Sequence, residues 1–232
     1  MSDVRRALDA LRDPEVAAQS HRYFKTGPGE YGEGDRFLGI RVPPIRALAR
    51  SHRTLPLEAV LEHLRSPWHE ERLLALLILV EQHRRGDAEA RERIHRTYLE
   101  HTRFVNNWDL VDTSAEHLVG PHVDPDDLAP LERLAASSSV WERRIAVLAT
   151  FHGIKRGVFG PTLHVADRLL DDPHDLIHKA VGWMLREVGK RDPGLEEAFL
   201  AERYRRMPRT MLRYAIERLP EARRRAYLRG EA

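Results

Sequence analysis

Apolar residues recur along this chain at three- and four-residue spacing, in stretches separated by Pro, Gly, Asp or Ser. "EAVLEHLRS", "HEERLLALLILVEQH", "DAEARERIHRTYLEHT", "PLERLAAS", "VWERRIAVLATFH", "TLHVADRLL", "LIHKAVGWMLREVGK" and "TMLRYAIERL" each carry this signature. The spacing places the apolar side chains on one face of a helix and the charged ones on the other. Alternating strand patterns are scarce, so the pattern predicts an all-α chain.

The helical segments also resemble one another. "HEERLLALL" (69–77), "VNNWDLVDT" (105–113), "WERRIAVLA" (141–149), "LIHKAVGWM" (176–184) and "TMLRYAIER" (210–218) each open on polar residues and run into an apolar helix. Their fourth positions are Arg72, Trp108, Arg144, Lys179 and Arg213, separated by 36, 36, 35 and 34 residues. A period of this size in a helical sequence marks stacked helix pairs. The pattern W-x2-L-G-x2-Y of tetratricopeptide units is missing, so the expected fold is a right-handed α-solenoid of HEAT-like repeats. One domain is expected over 1–232. It would comprise N-terminal helices and a Gly-rich loop in 1–50, repeats over about 51–220 and an Arg-rich tail over 221–232. Equivalent repeat positions line up in a solenoid, so the five residues predict a cationic ladder with one tryptophan on a concave basic face. A nucleic-acid backbone suits such a stripe. The repeat by itself favours a protein-binding scaffold.

Composition narrows the classes. Hydrophobic residues are 42% and charged residues 32% of 232, as in a folded globular chain. The absence of cysteine excludes disulfides and thiolate metal sites and fits a reducing cytosol, with a cytoplasmic location expected. The longest apolar run, "LLALLILV" (73–80), is too short to cross a bilayer, and "MSDVRRALDA" has no apolar signal region. The net charge is only +2, but it is unevenly spread. Ten arginines against two glutamates lie between Arg203 and Arg229, whereas "DPDD" (124–127) is acidic. Such segregation suggests a phosphate-holding surface or, more plainly, a solvated terminal helix. No H-E-x-x-H, Walker or G-x-G-x-x-G spacing and no G-x-S-x-G elbow occurs. No cofactor, metal or membrane partner is therefore expected, and the glycine-rich "GPGEYGEGDRFLG" (27–39) reads as a long interhelical loop.

The stretch "RFVNNWDLVD" (103–112) stands out against this background, because Trp108 and Asp112 fall one helical turn apart on a shared face. A packing tryptophan beside a first-turn carboxylate is the plain reading. Three neighbours argue for more: Trp183 four residues past Lys179, Arg144 on the next rung, and Tyr23 near the N-terminus. A carboxylate in a cationic groove opposes phosphate binding, so it needs another purpose. Stabilising an oxocarbenium-like sugar during glycosidic cleavage is one, and indole faces suit a cationic lesion.

These residues carry a resemblance. "RYFKTGPGEYGEGDRFLGIRVPPIR", "NNWDLVD", "WERRIAVLATF" and "KAVGWMLRE" together resemble the AlkD family of bacterial DNA alkylation-repair glycosylases, from about Tyr23 to Pro208. The resemblance implies hydrolysis of the N-glycosidic bond of N3- and N7-alkylated purines in duplex DNA, without a base-flipping pocket and without a lyase step. It implies that Asp112 stabilises the oxocarbenium and positions water, with Trp108 and Trp183 at the deoxyribose. Arg144 would hold phosphate and Tyr23 would lie on the lesion strand; Lys179, Arg72, Arg213 and Arg186 are the further DNA-binding candidates. One array wrapping a duplex needs no second copy, so a monomer is expected. A non-catalytic DNA-binding repeat protein or a protein adaptor are the alternatives.

Overall fold

The computed structural model describes residues 3–232. Among them the chain is all-α, with isolated bridges as its only extended pairings. It divides into two compact units, Met1–Leu118 and Val119–Ala232.

The first unit contains α1 (Asp3–Asp9), α2 (Pro14–Tyr23), α3 (Val42–Ser51), α4 (Leu57–Leu64), α5 (His69–Arg85), α6 (Ala88–Glu100) and α7 (Trp108–Leu118). Its centre is α5, against which α3, α4, α6 and α7 all pack. That explains the apolar run noticed above: Leu73–Leu79 is buried on every side because the helix has neighbours all round. Local signals start the surrounding helices. The Asp13 side chain accepts hydrogen bonds from the Glu15 and Val16 amides, with Pro14 in the first turn of α2. The Asp87 side chain accepts the Ala90 amide at the start of α6, and Asn107 Oδ1 accepts that of Trp108 at 2.9 Å.

The loop between α2 and α3 is fastened rather than loose. Glu70, in the first turn of α5, accepts hydrogen bonds from the amides of Leu38 (2.8 Å), Gly39 (2.8 Å) and Ile40 (3.2 Å). Gly39 has φ +81°, and a Cβ there would lie 1.9 Å from the Asp13 carbonyl oxygen, so only glycine fits. The glycine-rich stretch thus accommodates close backbone contacts.

The second unit contains α8 (Ala129–Ala135), α9 (Val140–Ala149), α10 (Phe151–Ile154), α11 (Gly160–Arg168), α12 (Asp175–Gly189), α13 (Pro193–Arg203), α14 (Arg209–Ala215) and α15 (Glu221–Arg229). Here α12 is central, packed against α9, α13 and α14. It buries Ile177, Ala180, Val181, Met184, Leu185 and Val188. The α12–α14 pair is close because position 182 is glycine: a Cβ there would meet the Met211 carbonyl oxygen at 2.4 Å. Residues 221–229, read from sequence as part of a tail, form a helix that buries Tyr227. The Leu228 and Gly230 carbonyls accept hydrogen bonds from Arg209 and Arg205.

Candidate functional site

Trp108 opens α7 and Asp112 follows it by one turn, both half-buried. The indole sits among aromatic rings brought in by the end of α2 and the following residue. Phe24 stacks on it at 5.6 Å between centroids, and Tyr23 meets it edge-on at 5.7 Å. Tyr23 is 63% exposed, so the pair offers a tyrosine in solvent backed by a braced tryptophan. The first unit therefore brings together three of the residues singled out in the sequence: Tyr23, Trp108 and Asp112.

Behind α7 lies fully buried Tyr98 of α6, its hydroxyl 3.0 Å from Ser114 Oγ. Ser114 in turn donates to the Leu110 carbonyl at 2.6 Å. Burial raises the Tyr98 pKa; the Ser114 hydrogen bond opposes this and the negative charge of Asp112 adds to it. The phenol therefore stays a neutral donor.

A buried ionic network reaches α7 through Asp109, the residue after Trp108. His69, the first residue of α5, places Nδ1 2.9 Å from Asp35 Oδ2 and Nε2 2.8 Å from Asp109 Oδ2. Asp35 also receives Arg72, whose second guanidinium nitrogen donates to the Ser66 carbonyl at 3.0 Å. Two carboxylates face two cations, so the network is neutral as a whole. Burial disfavours the His69 cation, yet the charge and hydrogen bond of Asp109, reinforced by Asp35, push its pKa up to about 9. Burial likewise disfavours the Asp35 anion, but the His69 hydrogen bond and the Arg72 charge hold its pKa below the usual carboxylate range. Phe24 and Phe37 lie 4.7 and 5.0 Å from the imidazole, screening it from water.

The second unit holds the remaining predicted residues. Arg144 of α9 is 5% exposed and donates from Nη1 to the Leu176 carbonyl, at the start of α12, at 2.6 Å. Lys179 pairs with Asp175 one turn earlier at 2.6 Å. Trp183 is half-buried beside Phe151, at 5.9 Å, and donates from Nε1 to Glu187 at 3.3 Å. Arg186 is ion-paired with Glu217, and Arg213 is exposed with no ion pair among the described residues.

The expected cationic ladder needs correction. Its five residues do fall on five separate helices, α5, α7, α9, α12 and α14. Arg72, however, is only 4% exposed and is bonded to Asp35 and Ser66, so it ties a loop to a helix instead of facing a phosphate. Arg144 is buried as well. The arginine-rich C-terminal stretch changes in the same way. Eight of its ten arginines are engaged in hydrogen bonds or ion pairs, for example Arg203 with Asp167, Arg206 with Asp171 and Arg223 with Glu197. Arg213 and Arg218 are the two without such a partner among the described residues.

Sequence reasoning missed His69, Asp35 and Asp109. The polar opening of "HEERLLALL" and the aspartate ending the glycine-rich run were the available signals, and each alone looked like a helix start or a loop.

Each unit packs its helices around one central helix, and the first carries Trp108 and Asp112 on one turn of α7. Residues 4–219 match the sequence profile of the DNA alkylation repair enzyme family, and the chain belongs to that family. Its role is in the repair of alkylated DNA. The solved structure of a predicted DNA alkylation repair enzyme from Enterococcus faecalis has the same fold. The TM-score is 0.68 at 19% identity, covering 91% of this chain and 98% of that one. No curated protein matches it. No helix of the described residues is long and apolar enough to cross a membrane.

Proposed function

We propose that this protein is a monofunctional DNA glycosylase that removes cationic N3- and N7-alkylated purines from duplex DNA. The observation that carries the reading is the first turn of α7: a carboxylate one turn from an indole that is braced by Phe24 and flanked by exposed Tyr23. The alkylated base is positively charged and leaves with the electron pair of the glycosidic bond as a neutral purine. Positive charge then passes to the deoxyribose C1′ and ring oxygen. Asp112 stabilises that charge and orients the water that adds to C1′, whose proton is released to solvent. The base already carries its leaving-group charge, so stabilising the sugar suffices and no flipping pocket is required.

Trp108 serves the reaction at the deoxyribose, with Tyr23 on the lesion-bearing strand, and Trp183 of the second unit is a further candidate for contact with DNA. Lys179, Arg186 and Arg213 add positive charge toward the DNA backbone, while Arg144, buried on the Leu176 carbonyl, positions the start of α12. The partner is double-stranded DNA, and the protein acts as a monomer without metal or cofactor.

Asp112→Asn tests this reading. Release of N7-methylguanine from alkylated duplex, followed as abasic sites, should fall about 10²–10³-fold while DNA affinity changes little. Equal excision by the variant would remove Asp112 from the chemistry. Tight DNA binding by the wild-type protein with no abasic sites would leave a non-catalytic DNA-binding repeat protein.

A further inference from the structure

Asp109 sits between Trp108 and Asp112, and the proposed chemistry makes no use of it. Its carboxylate is nonetheless largely buried. Oδ2 has the single hydrogen bond to His69, and Oδ1 has no partner among the described residues. Among the described residues, the His69 imidazole is thus what holds the Asp109 carboxylate in the first turn of α7.

We propose that His69 is a positioning residue, whose doubly protonated ring fixes Asp109 and through it the presentation of Trp108 and Asp112. The geometry requires two donors, because Nδ1 and Nε2 each face a carboxylate oxygen. A neutral imidazole has one N–H and one lone pair. Asp35 keeps Arg72 when the ring is neutral, but among the described residues Asp109 has no second ion-pair partner. Loss of the proton therefore sets a lone pair or an unbalanced carboxylate against α7. An uncompensated Asp109 also lies three residues from Asp112 on the same helix, where like charges repel.

The groups facing His69 are Asp35 from the loop after α2, Asp109 from α7, and the Phe24 and Phe37 rings, with Arg72 reaching it through Asp35. Glu70, next to it on α5, is occupied by the Leu38, Gly39 and Ile40 amides. A cleft of about 430 Å³ borders the network and is lined in part by Phe24, Phe37, Arg41, His69 and Asp109. The inference rests on the glycosylase reading only for its rate measurement.

His69→Gln, Asp109→Asn and the double variant test it in the full chain. Each single change should slow single-turnover excision of N7-methylguanine on the order of 10–100-fold through misplacement of the reacting groups, with DNA affinity within about threefold. The double variant replaces the ion pair by a neutral amide pair and should recover to within about threefold of wild type, a strongly non-additive result. The wild-type rate should also fall above about pH 9, a limb the double variant lacks. A double variant as slow as the slower single one, or one that keeps the alkaline limb, would overturn the proposal.

A second measurement stands apart from catalysis. In wild-type protein, the ¹⁵N resonances of His69 and the emission of Trp108, taken by difference from Trp108→Phe, should titrate together near pH 9. Trp108 emission that ignores the His69 titration counts against the positioning role. Should the wild type excise nothing, the glycosylase reading fails while this titration still decides the role of His69.

Discussion

Both units bury ionisable groups, and His69 in the first and Glu196 in the second are treated in opposite ways. In the first, His69 is enclosed but meets two carboxylates, so it stays charged and its pKa rises to about 9. In the second, Glu196 of α13 is 3% exposed, with Oε1 unpartnered among the described residues and the side chain pressed against Gly189. Burial pushes its pKa up to about 8; the nearby Glu197 adds to this, and Arg186 opposes it only in part. Glu196 is therefore a neutral acid in the folded protein at pH 7. A buried charge survives where its partners come with it, and is discharged where they do not. The same contrast runs through the arginines. Arg72 is an internal tie in the first unit, while Arg203, Arg206 and Arg223 make ion pairs on the surface of the second.

Breaking the internal tie should have the largest effect. Arg72→Ala leaves Asp35 buried beside His69 alone and should cost about 3–5 kcal/mol of unfolding free energy, measured by urea titration. A loss under about 1 kcal/mol would make Arg72 no different from a surface arginine.

The pH dependence of stability comes next. His69 has a folded pKa near 9 against an ordinary value of 6.5. Its contribution, of order 3 kcal/mol, is thus complete below pH 6.5 and lost as pH rises through 9. His69→Gln should flatten the unfolding free energy over that window. Glu196 also has a raised folded pKa, so the folded state holds its proton while the unfolded chain gives it up above the ordinary value of 4.5. Stability falls from there until about pH 8. Glu196→Gln should remove that slope and raise the melting temperature at pH 8; an unchanged profile would show that Glu196 finds a cation on folding.

Surface arginines should give the smallest changes. Arg206→Ala breaks an exposed pair with Asp171 and should alter stability by less than about 1 kcal/mol. Arg213→Ala should alter it by no more than about 0.5 kcal/mol. If Arg213 touches phosphate, the same change reduces the slope of log binding constant against log salt by about one. An unaltered slope removes Arg213 from the DNA contacts.

Helices such as α4, α9 and α12 were legible in the sequence because their apolar residues recur at helical spacing, whereas α13, which opens at Asp192 and Pro193, was not singled out. The period near 35 was legible too, each marked residue falling in its own helix. The fate of the marked side chains was not. Arg72 meets Asp35 across 37 positions and Arg144 meets the Leu176 carbonyl across 32, pairings that exist only once the helices have packed. Local spacing put Trp108 and Asp112 on one turn but could not show the Phe24 and Tyr23 rings around them, since α2 reaches α7 only through the fold.

Glu70 has a consequence for how a ligand would be met. One carboxylate gathering three consecutive amide hydrogens leaves the loop before α3 little freedom to surrender on association. Docking beside Tyr23 then involves surfaces already in their final shape, and the heat-capacity change of complex formation should reflect contact area alone, without the added component that accompanies folding of a disordered segment.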